Sequence, residues 1–171
     1  GRSPRFWGQH VRVPKNGIAV LINAFNFPAW GFAEKAACAL LAGMPVLTKP
    51  ATATALTAYF ASKTIIEEAG LPEGAFQFLG GSPGDMIDHL EEQEVLSFTG
   101  GASTGIKLRR HQNVVAKSLT VNVEADSLNA AVVRPDVDDD SDTWDLMLRE
   151  LAREMTQKTG QKCTAIRRVM V

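Results

Sequence analysis

Short apolar segments alternate along this chain with longer segments in which apolar residues recur every three or four positions. The short segments predict strands at residues 18–22, 46–48, 76–79, 95–98, 118–123, 130–133 and 167–171. The longer segments predict helices at residues 30–41, 54–69, 83–90, 101–111 and 142–158. Residues such as Gly43, Pro50 and Gly70 separate these elements. The alternation predicts an α/β domain built on a parallel sheet.

The composition excludes several other classes of protein. The chain has 171 residues, of which 45% are hydrophobic and 22% charged, as is ordinary for one globular domain. A formal net charge of -1 gives no electrostatic sign of a nucleic acid or anionic membrane partner. The charge-free run at residues 16–33 contains Asn, Pro and Gly, which favours a strand and a turn over a membrane span. Two cysteines form no disulfide framework, so we expect a reducing, cytoplasmic location.

Three polar residues far apart along the chain are candidates for covalent chemistry. Cys163 is a thiol nucleophile, Asn26 has an amide that can hold an oxyanion, and Glu124 has a carboxylate that can activate water. Each residue also has a structural alternative. The cysteine could be a small buried hydrophobe, the asparagine a turn former before Pro28, and the glutamate a surface carboxylate at the end of a strand.

The motifs around these residues resemble those of the aldehyde dehydrogenase superfamily. They are Asn-Phe-Pro at 26–28, Lys-Pro at 49–50, Phe-Thr-Gly at 98–100, a strand that ends in Glu124, and Gly-Gln-Lys-Cys at 160–163. The resemblance covers the chain from about residue 17 to its end. It implies a Rossmann-like parallel sheet with helices on both faces. Residues 124–129 and 160–168 are similar to one branch, the dehydrogenase part of the bifunctional ring-opening protein of phenylacetate degradation and its benzoyl-CoA-pathway relatives.

The resemblance implies a role for each candidate. The Cys163 thiolate would attack an aldehyde, with the oxyanion held by Asn26 and the Cys163 backbone N–H, and a thioester would follow. Glu124, which closes an apolar strand, would activate water, and a buried or half-buried position would suit this role because it raises the pKa of a carboxylate. Lys35 matches a lysine that assists proton movement, with an exposed helix lysine as the alternative. Cys38, in an apolar helix, is expected to be structural.

The resemblance also implies a dinucleotide site. The segment 98–105 resembles a variant glycine fingerprint, in which a helix N-terminus faces the pyrophosphate; Gly100 and Gly105 match its glycines, and Gly101 lies in the same turn and is counted as cofactor-binding. Lys49 and Thr52 match the segment that meets the adenosine ribose, and Asn23 is counted with these cofactor-binding residues. Many NAD-preferring members have Glu at the position of Thr52, so the hydroxyl favours NADP, with NAD as the alternative.

The residues after Glu124 depart from the family pattern. Members of the family have Leu-Gly-Gly-Lys-Ser-Pro-Asn there, whereas residues 125–129 are shorter and contain neither glycine. This leaves the backbone geometry of the segment open.

The resemblance gives expectations for the organisation of the chain. Residues 1–133 are expected to form the NAD(P)-binding domain, the first of them as a linker, and residues 134–171 the start of a catalytic domain. We expect this chain to be a fragment of a larger subunit and to be inactive alone. The full-length enzyme is expected to be a homo-oligomer. The acidic run at 136–142 is interpreted as a solvated lead into the helix that follows rather than as a calcium loop, and His10, His89 and His111 show no metal-ligand spacing.

The substrate that this branch implies is an aldehyde, a CoA-thioester semialdehyde of aromatic-ring catabolism. Two alternatives remain at this point: a non-catalytic nucleotide-binding paralogue, and an acyl-CoA-forming reductase on the same fold.

Overall fold

A five-stranded parallel sheet lies at the centre of the protein, in a computed structural model that describes residues 7–171. Its strands are β1 (Ala19–Ile22), β2 (Val46–Lys49), β3 (Phe76–Phe78), β4 (Val95–Gly100) and β5 (Thr120–Ala125). Their order in the sheet is β3-β2-β1-β4-β5, and every neighbouring pair is parallel. The chain therefore fills one side of β1 first and then crosses to the other side.

Helices cover both faces of the sheet, as the sequence predicts. They are α1 (Trp30–Leu41), α2 (Ala55–Glu68), α3 (Ala102–Arg109) and α4 (Gln112–Ala116). Leu21 packs in one core cluster with Phe32 of α1 and Ala58 of α2. Val20 points to the other face and packs in a second cluster with Leu108 of α3. Because both faces of β1 are buried, its sequence is a continuous apolar run rather than an alternating one.

A second, two-stranded sheet follows. β6 (Asn129–Val132) pairs in parallel with β7 (Ile166–Met170), and α5 (Asp142–Thr156) lies between them in the chain. The chain leaves β5 through Asp126, whose φ is 49°. A domain boundary after residue 133 stays a prediction; β6, which precedes it, pairs with β7 rather than with the first sheet.

The acidic run at 136–142 leads into α5, as expected. The Ser141 side-chain oxygen accepts a hydrogen bond from the Trp144 N–H at 3.2 Å, and Asp142 and Asp145 lie in the first turn. Carboxylates at this end of a helix are stabilised by its dipole. The helix ends at Thr156, two residues earlier than predicted, because Lys158 and Thr159 adopt left-handed φ values of 52° and 57°.

Two other helix predictions were wrong in detail. Residues 83–90 form only a 3-10 turn (Met86–His89), since Gly84 has a φ of 55° and breaks the helical path. The helix predicted to reach His111 ends at Arg109, and the His111 Nδ1 accepts from the Asn113 N–H at 3.3 Å to begin α4. Within residues 7–171, none of the helices has both the length and the hydropathy needed to cross a membrane.

Candidate active site

One cavity of about 1220 Å³ lies at the carboxyl ends of β1, β2, β4 and β5. The order of the strands reverses between β1 and β4, so the loops that follow these two strands diverge and leave a crevice. Seven of the predicted site residues line it: Asn23, Asn26, Lys49, Gly100, Gly101, Glu124 and Cys163. The fold therefore brings the three candidate catalytic residues to one space, although β-strands and helices separate them along the chain.

Cys163 lies at an exposed corner of the cavity. The Ala165 N–H donates to the Lys162 carbonyl at 3.2 Å, which closes a tight turn with Cys163 as its second residue. Its exposure is inconsistent with the alternative that Cys163 is a small buried hydrophobe.

Asn26 is held against the segment that leads to Cys163. Its Nδ2 donates to the Gln161 backbone carbonyl at 2.9 Å, and the Asn26 backbone carbonyl accepts from the Lys158 ammonium. The same ammonium lies 3.7 Å from the centroid of the Phe27 ring. An amide nitrogen carries two hydrogens, so Asn26 retains one donor for an oxygen atom in the cavity.

Glu124, Thr99 and Lys35 form a hydrogen-bonded series. Thr99 and Glu124 are register partners on β4 and β5, and the Thr99 hydroxyl donates to Glu124 Oε2 at 3.3 Å. The Lys35 ammonium donates to the Thr99 hydroxyl and lies 4.0 Å from Glu124 Oε2. The Lys35 side chain is only 10% exposed, so the alternative of an exposed helix lysine was wrong.

Glu124 is more exposed than the buried or half-buried position considered from the sequence, and it fits the alternative of a carboxylate at the end of a strand on the surface. Its side chain is 55% exposed, because β5 is the edge strand and its face with Thr120 and Asn122 is open. The apolar residues before Glu124 pack on the opposite face, where Val121 and Val123 join the core. An apolar strand thus places this carboxylate at the cavity without burying it.

Cys38 was expected to be a structural residue of an apolar helix, but its side chain is exposed rather than packed in the core. The buried positions of α1 are Phe32 and Ala36, four residues apart on one side of the helix. Cys38 lies on the other side, with Leu41, which is 90% exposed. An apolar helix sequence did not reveal which of its faces is covered.

The three glycines of the predicted fingerprint have different surroundings. Gly101 is the N-cap of α3, and no atom lies within 4 Å of a Cβ built on it. A Cβ on Gly105 would lie 2.6 Å from Val123 Cγ1, so this glycine allows α3 to pack against β5. A Cβ on Gly100 would meet the Phe98 ring at 2.5 Å. The open space beside Gly101, at a helix N-terminus, fits a phosphate group.

A carboxylate of the chain itself lies at that helix N-terminus. Asp126 Oδ2 accepts from the Ala102 N–H of α3 at 3.2 Å. Asp126 belongs to the shortened segment after Glu124, and its left-handed φ of 49° is a conformation that favours glycine. A phosphate bound here would therefore meet an anion that the sequence did not lead us to expect.

The remaining predicted cofactor residues differ in position. Lys49 lines the cavity at the end of β2. Thr52 begins an exposed 3-10 turn and is outside the cavity wall. Asn23 is buried, and its Nδ2 donates to the Leu21 carbonyl and to Thr48 Oγ1, both at 3.0 Å, so it connects β1 to β2. The cofactor roles of all three residues stay predictions.

Lys162, next to the candidate nucleophile, is held by α5. Its ammonium donates to Glu154 Oε2 at 2.8 Å and to Gln157 Oε1 at 2.7 Å. The hydrogen bond from Lys162 lowers the pKa of Glu154 below its usual value of 4.5. The positive charge of Lys162 is thus paired with a carboxylate.

Sequence reasoning missed several residues around the site, namely Thr99, Asp126, Ser127, Asn129, Lys158 and Arg167. Thr99 could have been found from the strand pattern, because adjacent parallel strands bring it opposite Glu124. Asp126, Ser127 and Lys158 lie in irregular or turn segments whose backbone path has no periodic signal, whereas Asn129 and Arg167 lie at the starts of β6 and β7. Among residues 7–171 there is no group of three or more His, Cys, Asp or Glu that could hold a metal ion.

Comparison with known proteins gives consistent matches. The sequence pattern of the aldehyde dehydrogenase family matches residues 3–171. The chain is 53% identical over 165 residues to a 3,4-dehydroadipyl-CoA semialdehyde dehydrogenase from Aromatoleum evansii, a match that covers 96% of the chain and 32% of that protein. It is 35% identical to a 1-pyrroline-5-carboxylate dehydrogenase from Staphylococcus haemolyticus, over 91% of the chain and 30% of that protein.

A solved structure shares the fold. The betaine aldehyde dehydrogenase from Staphylococcus aureus, crystallised in complex with NAD+, superposes with a TM-score of 0.77 at 26% identity. That match covers 89% of this chain and 29% of the other. The chain thus spans about a third of the length of the relatives that it matches.

Proposed function

The chain belongs to the aldehyde dehydrogenase family, and from this premise we propose that the complete protein oxidises an aldehyde to a carboxylic acid with NAD(P). The observation that carries the proposal is the common cavity lined by Asn26, Glu124 and Cys163. A thiol, an amide donor and a carboxylate around one space are the groups that covalent aldehyde oxidation requires. A cytoplasmic location and a homo-oligomeric assembly belong to the same proposal.

In the first step, the Cys163 thiolate forms a bond to the aldehyde carbon, and the carbonyl π electrons move to oxygen. The second N–H of the Asn26 amide and the Cys163 backbone N–H hold that oxyanion. The Gln161 carbonyl keeps the Asn26 amide in place, since it accepts the first N–H at 2.9 Å. Two fixed donors stabilise charge without reorganisation at the moment of reaction.

A nicotinamide dinucleotide, when bound, would accept a hydride from the carbon of this adduct. The oxyanion electrons would then re-form the carbonyl group, which gives a thioester on Cys163. Lys49 and the backbone around Gly101 would hold the dinucleotide, since both border the cavity. For the preference between the two forms, we propose NADP, because the Thr52 hydroxyl and the Lys49 ammonium suit a 2′-phosphate. NAD is the alternative, as the structural relative from Staphylococcus aureus was crystallised with it.

Glu124 then takes a proton from water as the water oxygen attacks the thioester carbon. The Thr99 hydroxyl orients the carboxylate, and the Lys35 ammonium behind Thr99 stabilises its negative charge. The half-exposed position of Glu124 gives water access to it. The thiolate leaves, and the carboxylic acid is released. Hydrolysis distinguishes this route from transfer of the acyl group to coenzyme A.

For the substrate, we propose a CoA-thioester semialdehyde from aromatic-ring catabolism. The support is the 53% identity to a relative that is named for such a substrate. Arg167, which lines the cavity beside Cys163, adds a cation that suits an anionic substrate.

The test uses Glu124→Gln in the complete protein, with Glu73→Gln as a control, since Glu73 is exposed and does not line the cavity. Loss of a general base slows its step by about 10²–10⁴-fold. We therefore expect a burst of NAD(P)H equal to the active sites, followed by very slow turnover, and no burst from Cys163→Ser.

Other results would favour other functions. Full turnover by Glu124→Gln would show that Glu124 is not the general base of the reaction. Turnover that requires coenzyme A would indicate the acyl-CoA-forming reductase. Binding of dinucleotide without a burst from any aldehyde would indicate the non-catalytic paralogue. For the 171-residue chain alone, we expect weak NADP binding and no turnover.

A further inference from the structure

The turn that contains Cys163 is held through its carbonyl groups from two sides. Two peptide units meet at the Cys163 α-carbon. The first joins the Lys162 carbonyl to the Cys163 N–H, and the second begins with the Cys163 carbonyl. The orientation of these two units determines the directions of both the thiol and the N–H.

Two side chains hold the second peptide unit, one from the link between β5 and β6 and one from the first residue of β6. Asn129 Nδ2 donates to the Cys163 carbonyl at 2.6 Å and to the Ala165 carbonyl at 3.3 Å. The Ser127 hydroxyl also donates to the Cys163 carbonyl. Asn129 is half-buried at the first position of β6, where β6 pairs with β7. It is thus a fixed point from which the turn can be held.

Arg167 holds the first peptide unit. Its Nη2 donates to the Gly160 carbonyl and, at 3.4 Å, to the Lys162 carbonyl. The Lys162 carbonyl also accepts from the Ala165 N–H at 3.2 Å. A carbonyl that accepts from a guanidinium is polarised, and the N–H of the same peptide becomes a stronger donor. Within residues 7–171, no group accepts a hydrogen bond from the Cys163 N–H.

We propose that Asn129 and Arg167 are positioning residues that fix the two peptide units flanking Cys163 and keep the Cys163 N–H available as an oxyanion donor. This inference rests on the proposed function, in which Cys163 forms a tetrahedral adduct. Neither residue contacts the reacting atoms in this arrangement. Both act through the backbone of the nucleophile.

Two reactions of the same thiol separate this role from a general structural one. Alkylation by iodoacetamide forms a carbon–sulfur bond and releases iodide, without an oxyanion. Acylation by p-nitrophenyl acetate forms a thioester and releases p-nitrophenolate through a tetrahedral oxyanion. Removal of one oxyanion donor slows such a reaction by about 10²–10³-fold. A displaced donor is expected to slow acylation by roughly 10–100-fold and to leave alkylation unchanged.

The experiment measures both rates in the complete protein with Cys38→Ser, because the Cys38 thiol is exposed and would also react. The variants are Asn129→Asp, which replaces a donor by an acceptor, and Arg167→Lys, which keeps the charge but not the planar donor group. Asn113→Asp is the matched control, since Asn113 Nδ2 donates to the Ile87 and Leu90 carbonyls, both at 2.8 Å, away from the cavity.

We expect Asn129→Asp and Arg167→Lys to lower the ratio of acylation to alkylation, and Asn113→Asp to lower stability with an unchanged ratio. If Asn129→Asp and Arg167→Lys slow both reactions equally, or slow neither, the inference is overturned. Acylation of the wild-type thiol would in that case still support the proposed function. Arg167→Lys changes an exposed side chain, so it decides the question even if Asn129→Asp folds poorly. If the wild-type thiol is alkylated but never acylated, the proposed function fails and the inference fails with it.

Discussion

Gly101 and Gly105 provide a test of the cofactor site, because the same change to alanine should affect them in opposite ways. Both belong to the predicted fingerprint, yet a Cβ on Gly101 would meet no atom within 4 Å, whereas one on Gly105 would lie 2.6 Å from Val123 Cγ1. We expect Gly105→Ala to affect stability and Gly101→Ala to affect ligand binding.

The magnitudes follow from the two environments. At Gly105, overpacking costs about 1–3 kcal/mol, and the upper part of this range, about 2–3 kcal/mol, applies because Val123 is β-branched and cannot easily rotate away. The higher helix propensity of alanine offsets roughly 1 kcal/mol, which leaves a net loss of about 1–2 kcal/mol. At the N-cap, alanine is less favourable than glycine, but it restricts the unfolded chain by a similar free energy. Gly101→Ala should therefore change stability by less than about 0.5 kcal/mol.

Thermal unfolding and titration with NADP+ in the complete protein measure the two effects. Because the relatives are about three times as long as this chain, a loss of about 1–2 kcal/mol for Gly105→Ala corresponds to a fall in Tm of roughly 1–2 °C in a protein of that length. Gly101→Ala should keep its Tm and bind NADP+ at least about tenfold more weakly, since a methyl group would occupy the space for the phosphate. If Gly105→Ala is as stable as the wild type, the packing of α3 on β5 is not as described. If Gly101→Ala binds NADP+ normally, the phosphate lies elsewhere.

Three other predictions concern charge and backbone conformation. Asp126→Asn removes the carboxylate at the α3 N-terminus and should tighten NADP+ binding by about 3–10-fold at low salt, and the gain should shrink as salt is added; equal affinity at low salt would contradict it. Thr159→Gly relieves a β-branched residue at a φ of 57° and should raise the free energy of unfolding by about 0.5–1 kcal/mol, whereas Thr57→Gly within α2 should lower it by about 0.3 kcal/mol. Because the folded-state pKa of Glu154 is lowered, its contribution to stability is present above about pH 4.5 and is lost as pH falls further. Plots of Tm against pH should therefore be flatter below that value for Glu154→Gln than for the wild type, and parallel plots would contradict the Glu154–Lys162 interaction.

Much of the central sheet could be predicted because burial on both faces leaves a simple signal. β1 is a short apolar run followed by Asn23, and β2 and β4 begin with apolar residues and end in Lys49 and Gly100. In a parallel sheet the carboxyl ends of the strands share one edge, so the residues after β1, β4 and β5 had to lie near each other. The convergence of Asn23, Gly101 and Glu124 follows from topology alone.

The exposure of individual side chains could not be predicted in the same way. The alternating pattern of β5 locates one buried face, but it does not tell whether anything covers the other, so the exposure of Glu124 on that other face could not be predicted. The same limit explains Cys38, on the uncovered side of α1. The left-handed conformation of Lys158 has no sequence signal either, since neither Gly nor Asn marks it.

The short link after Glu124 explains why the departure from the family pattern matters for chemistry. Without the two glycines, Asp126 itself adopts the left-handed conformation, and the chain enters β6 only three residues after β5 ends. Ser127 and Asn129 are thereby brought within hydrogen-bonding reach of the Cys163 carbonyl. The segment 124–129 therefore contains the candidate base at its start and, at its end, the side chain that hydrogen-bonds to the backbone of the nucleophile. Because a link this short has little freedom to adjust, a displacement of Glu124 along β5 would also displace the groups that orient Cys163.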